Sequence, residues 1–307
     1  MRVVFIAEED VGANFAMLGA ELRRSGVAQA RVMVVNESEG RVAAPDIPHQ
    51  LDGGAEATRL FEGADSVHFV GIDPRSTSLG ARTIESMLSG CRRVVHLDSC
   101  TDGQARSLRD YADDTGAAVF SARPSRCQRF SATLLPPFVP TWRGLFSPIS
   151  PGSRGRADLS RKGVVHASSM APFRRRRKLE DLIDRAEMSV AANGRVDTLV
   201  GVRQEVVLRR RRHSNLALGT WEDGIGRSGI ETLAQGVPLV AAVSASTLEG
   251  YAQLAGGPVP LISPDDLEQV VEQMDPRAEC VSQGAAWARK LLEPARYFDM
   301  LRAAWSA

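Results

Sequence analysis

Residues 221–240 read Trp221-Glu-Asp-Gly-Ile-Gly-Arg-Ser-Gly-Ile-Glu231-Thr-Leu-Ala-Gln-Gly-Val-Pro-Leu-Val240. The order is that of a strand end, a glycine-rich loop and a helix N-terminus. Gly224, Gly226 and Gly229 let the backbone come close to a ligand. The unpaired amides and dipole of a new helix favour a phosphate there, with Ser228 at the helix start and Arg227 inside the loop. Asp223 and Glu231 stand eight residues apart, one on the loop and one in the first helical turns, so both carboxylates can face one cleft. A nucleotide sugar offers what such a site takes: a diphosphate for the amides and hydroxyls for the carboxylates. Helix capping and dipole balance fit the same two acids.

Outward from this segment the chain alternates strand and helix. Arg2 to Ala7 is a β-branched run, followed by Gly12-Ala13-Asn14, a helical spacing of Phe15, Leu18 and Leu22, and a second strand over 31–35. This βαβ unit opens a parallel sheet, although it lacks a full GxGxxG. Gly12 is a candidate ligand-facing glycine; a simple turn at Gly12 and Asn14 fits the same residues. Strands follow at 66–70, 93–97 and 117–120, with helices at 83–88 and 106–115. The Pro-, Gly-, Ser- and Arg-rich stretch 142–162 is expected to be the inter-domain linker. A second βα series starts at Gly163-Val-Val-His166, with a helix over 179–188, strands at 196–200 and 216–218, a helix over 228–235 and a strand over 237–242. Ser263-Pro-Asp-Asp starts a helix. The spacing of Trp287, Leu291, Leu292, Tyr297, Leu301 and Trp305 predicts one terminal amphipathic helix.

The 307 residues suit two α/β domains. A formal net charge of +1 gives no global pull toward nucleic acid or anionic membrane. Cys91, Cys100, Cys127 and Cys280 form no CxxC pair and match no zinc spacing, so reduced thiols are expected. No stretch offers the roughly 18 apolar residues of a membrane span. The expected location is cytoplasmic, with peripheral contact at the inner membrane face left open.

Asp223–Pro238 resembles the E-x7-E region of GT-B retaining glycosyltransferases of the group-1 (family 4) type. There an acid, Gly-Phe-Gly, a second acid eight residues on and Ala-x-Gly-x-Pro-Val follow in turn. Here stand Asp223-Gly-Ile-Gly, Glu231 and Ala234-Gln-Gly-Val-Pro-Leu. The resemblance implies an α/β fold of two Rossmann-like domains facing a cleft. An acceptor-binding domain would span 1–145 and a nucleotide-sugar donor domain 146–307, with a C-terminal helix crossing back to the first. It implies that Asp223 contacts the donor sugar hydroxyls and Glu231 the ribose. Lys178 stands where the family's diphosphate-gripping lysine would be, and Arg174 or one of Arg175, Arg176 and Arg177 would be its arginine. His96 sits where many members place a histidine in the cleft. Asp in place of the commoner Glu at position 223 keeps the charge and shortens the reach, and Glu222 beside it can compensate.

The implied reaction is retaining glycosyl transfer from a nucleotide-diphosphate sugar. It uses no enzyme nucleophile, no metal and no further cofactor, because Arg and Lys neutralise the departing diphosphate. The acceptor stays open among saccharide, lipid-linked glycan, small molecule, protein and nucleic acid. A nucleotide-sugar epimerase and a non-catalytic sugar- or nucleic-acid-binding protein are the alternatives. The run Arg209–Arg212 is expected to be solvated surface. His96 and His166, near strand ends, fit core or loop histidines as well as functional ones.

Overall fold

Six short strands, most of them β-branched or aromatic runs, lie parallel in the first half of the chain, and helices cover both of their faces. The computed structural model describes residues 1–8, 14–35, 55–98, 100–141, 144–148, 164–169, 177–190, 194–221, 224–273 and 278–306. In chain order the first elements are β1 (Arg2–Ala7), α1 (Asn14–Arg24), β2 (Gln29–Val34), α2 (Ala55–Phe61) and β3 (Ser66–Val70). A small hairpin, β4 (Ser78–Leu79) and β5 (Arg82–Thr83), precedes α3 (Ile84–Met87) and β6 (Arg92–His96). Then come α4 (Asp102–Thr115), β7 (Ala118–Ser121), α5 (Pro124–Phe130) and β8 (Thr133–Leu134). The sheet order is β2-β1-β3-β6-β7-β8, parallel throughout. Thr101 caps α4 in a reciprocal box with Gln104, and Gly116 ends it at φ 68, where a side chain would be strained.

Period-two alternation sorts the strands between two layers. Val4, Ile6, Val67, Phe69 and Val95 pack with Phe61, Leu108 and Tyr111 on one face. The residues between them, Phe5 and His68, meet Phe15 of α1 and Trp305 on the other.

The second half begins with a 3-10 turn, Gly144–Phe146, followed by β9 (Val164–Ser169), α6 (Arg177–Ser189), β10 (Arg195–Val200), α7 (Gln204–Arg211) and β11 (Leu216–Trp221). It continues through α8 (Arg227–Ala234), β12 (Leu239–Val243), α9 (Ala245–Ala255), α10 (Leu267–Gln273) and α11 (Ala278–Leu291), and the last helix is α12 (Pro294–Ser306). The parallel sheet is ordered β10-β9-β11-β12. Val165, Ala167, Leu216, Leu218 and Val240 pack with Leu179, Leu182, Ile183 and Leu267 on one face. The chain thus divides into two compact units, Met1–Phe138 with Pro294–Ala307, and Val139–Glu293. α12 crosses back to the N-terminal unit, where it buries Tyr297, Phe298, Leu301 and Trp305. Each large apolar side chain so buried contributes roughly 1.5–3 kcal/mol before entropy is charged against it.

Three expectations change. The terminal amphipathic stretch is two helices, because Pro294 has no amide to continue α11 and sits at the first position of α12. Gly144–Phe146, expected in the linker, is folded into the second unit: Phe146 is buried and the Leu145 carbonyl accepts from Gln235. Residues 142–143 and 149–162 of that stretch lie outside the described residues. The third concerns Arg211 and belongs to the site.

Candidate functional site

In the second unit the chain runs from β9 to β10 on one side and then to β11 on the other. The strand order therefore reverses between β9 and β11, and open parallel sheets bind ligands outside the carboxyl ends at such a point. β9 ends at Ser169 and β11 at Trp221. The connections leaving those ends carry Arg174 and Asp223, which, like Gly12 of the first unit, lie outside the described residues. Lys178 is in the first turn of α6.

The chain re-enters at Gly224, whose φ of 97° is left-handed and suits glycine. Its amide is turned inward and donates to Thr247 Oγ1 at 3.0 Å. Gly226 is the N-cap of α8, and its carbonyl accepts from the Gly229 amide at 2.9 Å. Ser228 is exposed at the helix start, while Gly229 is buried.

Glu231, one turn further, is only 2% exposed. Arg227 Nε donates to its Oε1 at 2.8 Å, Gln204 Nε2 donates to the same oxygen, and Arg211 Nη2 donates to Oε2 at 3.0 Å. Arg211 also donates from Nε to Gln235 Oε1 at 2.9 Å and from Nη1 to the Ser228 carbonyl at 3.2 Å. Gln235 closes the network by donating to the Leu208 carbonyl at 3.0 Å. Arg211 is thus the opposite of solvated surface. It is fully buried because a carboxylate, an amide and a helix carbonyl meet its planar fork, as a buried cation requires. Arg209 keeps the expected exposure and pairs with Glu205. About four lone-pair positions are available on a carboxylate, so Glu231 has one left, on Oε2, among the described residues. Arg211, Gln204 and Gln235 are site residues that sequence reasoning missed.

His166 lies mid-strand in β9, opposite Asp197 of β10 and Ala217 of β11. Burial, and then the charges of Arg211 and Arg210, push its pKa down to about 3.

In the first unit, His96 ends β6 and is buried with His68. His96 Nε2 and His68 Nδ1 are 2.9 Å apart, and Trp305 Nε1 donates to His68 Nε2 at 2.8 Å. The rings of Phe15 and Phe120 lie 5.3 and 5.6 Å from His96. Burial holds His96 at about 3 and lowers His68 as well. His96 and Glu231 belong to different units.

Among the described residues no group of three or more His, Cys, Asp or Glu is placed to hold a metal ion, and no helix is long and apolar enough to cross a membrane.

No family model matches the chain, and no curated protein matches it in sequence. Solved structures do match in fold. A glycosyltransferase from Rickettsia africae ESF-5 aligns at TM-score 0.56 and 12% identity, over 99% of this chain and 96% of that one. An O-GlcNAc transferase mutant from Thermobaculum terrenum aligns at 0.54 and 14%, over 99% and 67%. A protein assigned as a UDP-N-acetylglucosamine 2-epimerase in Listeria monocytogenes aligns at 0.53 and 12%, over 99% and 95%. TarM aligns at 0.52 and 12% over 79% of this chain, which covers 55% of TarM's length. The fold is GT-B-like, built of two Rossmann-like α/β units.

Proposed function

We propose that the chain is a glycosyltransferase. It takes a nucleotide-diphosphate sugar into the unit Val139–Glu293 and passes the sugar, with retention, to an acceptor held by the N-terminal unit. The observation that carries this reading is the convergence at the β9/β11 switch point. The loop bearing Arg174 and the glycine-rich start of α8 leave adjacent strand ends there, and Glu231 stands one turn into that helix. Arg174 and Lys178 would take the diphosphate with the amide of Ser228. Asp223 would take sugar hydroxyls, and the remaining lone pair of Glu231 a ribose hydroxyl. Its two arginines hold that carboxylate fixed, so it needs no reorganisation when a ligand arrives.

Hydrogen exchange with nucleoside diphosphate tests the donor assignment: protection should appear across residues 222–230. Protection around Gly12 instead would reverse the roles of the units. In turnover with a panel of nucleotide sugars, the diphosphate is neutralised by side chains, so excess chelator should leave the rate unchanged and Lys178→Ala should lower it. The fold match to a protein assigned as an epimerase supports a second reading, in which the same donor site isomerises the sugar. A new sugar isomer without transfer would select that reading.

A further inference from the structure

Two buried histidines and one indole form a chain of hydrogen bonds whose direction is set at one end. An indole Nε1 only donates. Trp305 Nε1 lies 2.8 Å from His68 Nε2, so that nitrogen is the acceptor and carries no proton. Neutral His68 therefore keeps its proton on Nδ1, which faces His96 Nε2 at 2.9 Å. His96 Nε2 must accept, and neutral His96 then carries its proton on Nδ1. We propose that Trp305 and His68 are positioning residues that fix His96 as an Nδ1–H donor, so that it meets a ligand oxygen by donating and takes no proton from it.

The surroundings support neutral rings. Phe5 lies 4.5 Å from His68 between ring centres, and Phe15 and Phe120 flank His96. Burial lowers both histidines, so neither is charged at neutral pH. The reversed chain would set an Nε2–H of His68 against the Nε1–H of Trp305, two donors facing each other in an apolar layer. His96 is the last residue of β6, at the sheet end where parallel folds place ligands. Among the described residues no partner is found for its Nδ1. The proton assignment stands without the glycosyltransferase reading. Only the identity of the oxygen, a sugar or acceptor hydroxyl, rests on that reading.

The test is nitrogen NMR of the full chain labelled at its histidines, at pH 7, with peaks assigned through His68→Gln and His96→Asn. Protonated and bare ring nitrogens resonate far apart. The expected wild-type spectrum has His68 and His96 each protonated at Nδ1 and bare at Nε2. Trp305→Phe keeps an aromatic ring but removes the donor, and should give both histidines mixed tautomers. A wild-type His96 protonated at Nε2 overturns the proposal, as does a folded Trp305→Phe protein with the wild-type pattern; if that variant does not fold, the wild-type spectrum alone decides. Where turnover is measurable, His96→Asn, which presents an amide N–H near the Nδ1 position, should retain it far better than His96→Leu. The rate should show no titration between pH 5.5 and 8. Absence of transfer in the wild type beside the expected spectrum would count against the glycosyltransferase reading and leave the tautomer assignment standing, whereas equal loss in His96→Asn and His96→Leu would overturn the donating contact.

Discussion

Replacing Arg211 by alanine should destabilise the second unit by about 3–5 kcal/mol, the cost of breaking a buried ion pair by removing one partner. The side chains of Arg211 and Glu231 are 2% and 3% exposed, so the lost contacts are buried ones. Three hydrogen bonds disappear, from Nε, Nη1 and Nη2, and the Gln235 and Ser228 oxygens lose a charged donor. Glu231 keeps Arg227 and Gln204, which places the expectation near the lower end of that range. For a unit of this size about 3 kcal/mol corresponds to roughly 6–12 °C in Tm. The control lies two residues away. Arg209 pairs with Glu205 at a site where both side chains are more than half exposed, and losing such a pair costs about 0–1 kcal/mol. Calorimetry, with urea unfolding followed by tryptophan fluorescence, compares Arg211→Ala with Arg209→Ala. A double-mutant cycle with Glu231→Gln should show a coupling of about 0.5–3 kcal/mol. Equal losses at positions 211 and 209, or additive behaviour in the cycle, would refute the reasoning.

Glu231→Gln and Asp223→Asn should each weaken donor use by about 1.5–3 kcal/mol, as expected for a lost hydrogen bond to a charged group; near-wild-type kcat/KM in both would remove them from the donor site. Acid should destabilise the fold well before the carboxylates titrate. His96 and His166 are held at about 3 against roughly 6.5 when unfolded, so between those values the unfolded chain binds protons that the folded chain excludes. Their contribution is complete above pH 6.5 and falls by about 1.4 kcal/mol per pH unit for each histidine as pH drops toward 3. Urea midpoints that stay level from pH 6.5 to 5 would contradict this. Gly19→Ala should destabilise despite alanine's better helix propensity of about 1 kcal/mol. Its Cβ would lie 2.8 Å from Val32 Cγ2, on a side chain with little rotamer freedom, and overpacking costs about 1–3 kcal/mol. Gly103→Ala, with only Thr101 Oγ1 within 4 Å among the described residues, at 3.9 Å, should gain about 0.4–1 kcal/mol in the same thermal melts.

The elements that read clearly in the sequence are those whose signal is local. The Arg2–Ala7 strand, the turn of pattern at Phe15, and Ser263-Pro264 as cap and first helical residue match the observed elements to within a residue or two. The Pro124–Phe130 helix went unread although its Pro at the first helical position marks it, because the segment carries few apolar residues to show a period. Arg211 could not be read at all. In Gln204–Arg211 charge dominates the pattern, and what buries Arg211 is a carboxylate 20 residues on and an amide 24 residues on. Trp305 and His68 are still harder, since 237 residues separate them and each alone is an ordinary aromatic at a core position. Local periodicity reports which face is buried, whereas a polar network depends on which strands and helices become neighbours.

The return of α12 to the N-terminal unit has a consequence for biosynthesis. Everything from Val139 to Glu293 must leave the ribosome before Pro294–Ala307 can join strands made first. At about 5–20 residues per second that interval is roughly 8–31 s. During it Phe138 waits without the Tyr297 ring that packs on it, and His68 waits without its indole donor. The first unit to be synthesised is therefore the last to be completed. Chaperone dependence in the cell should follow the fate of that waiting unit more than the stability of the finished protein.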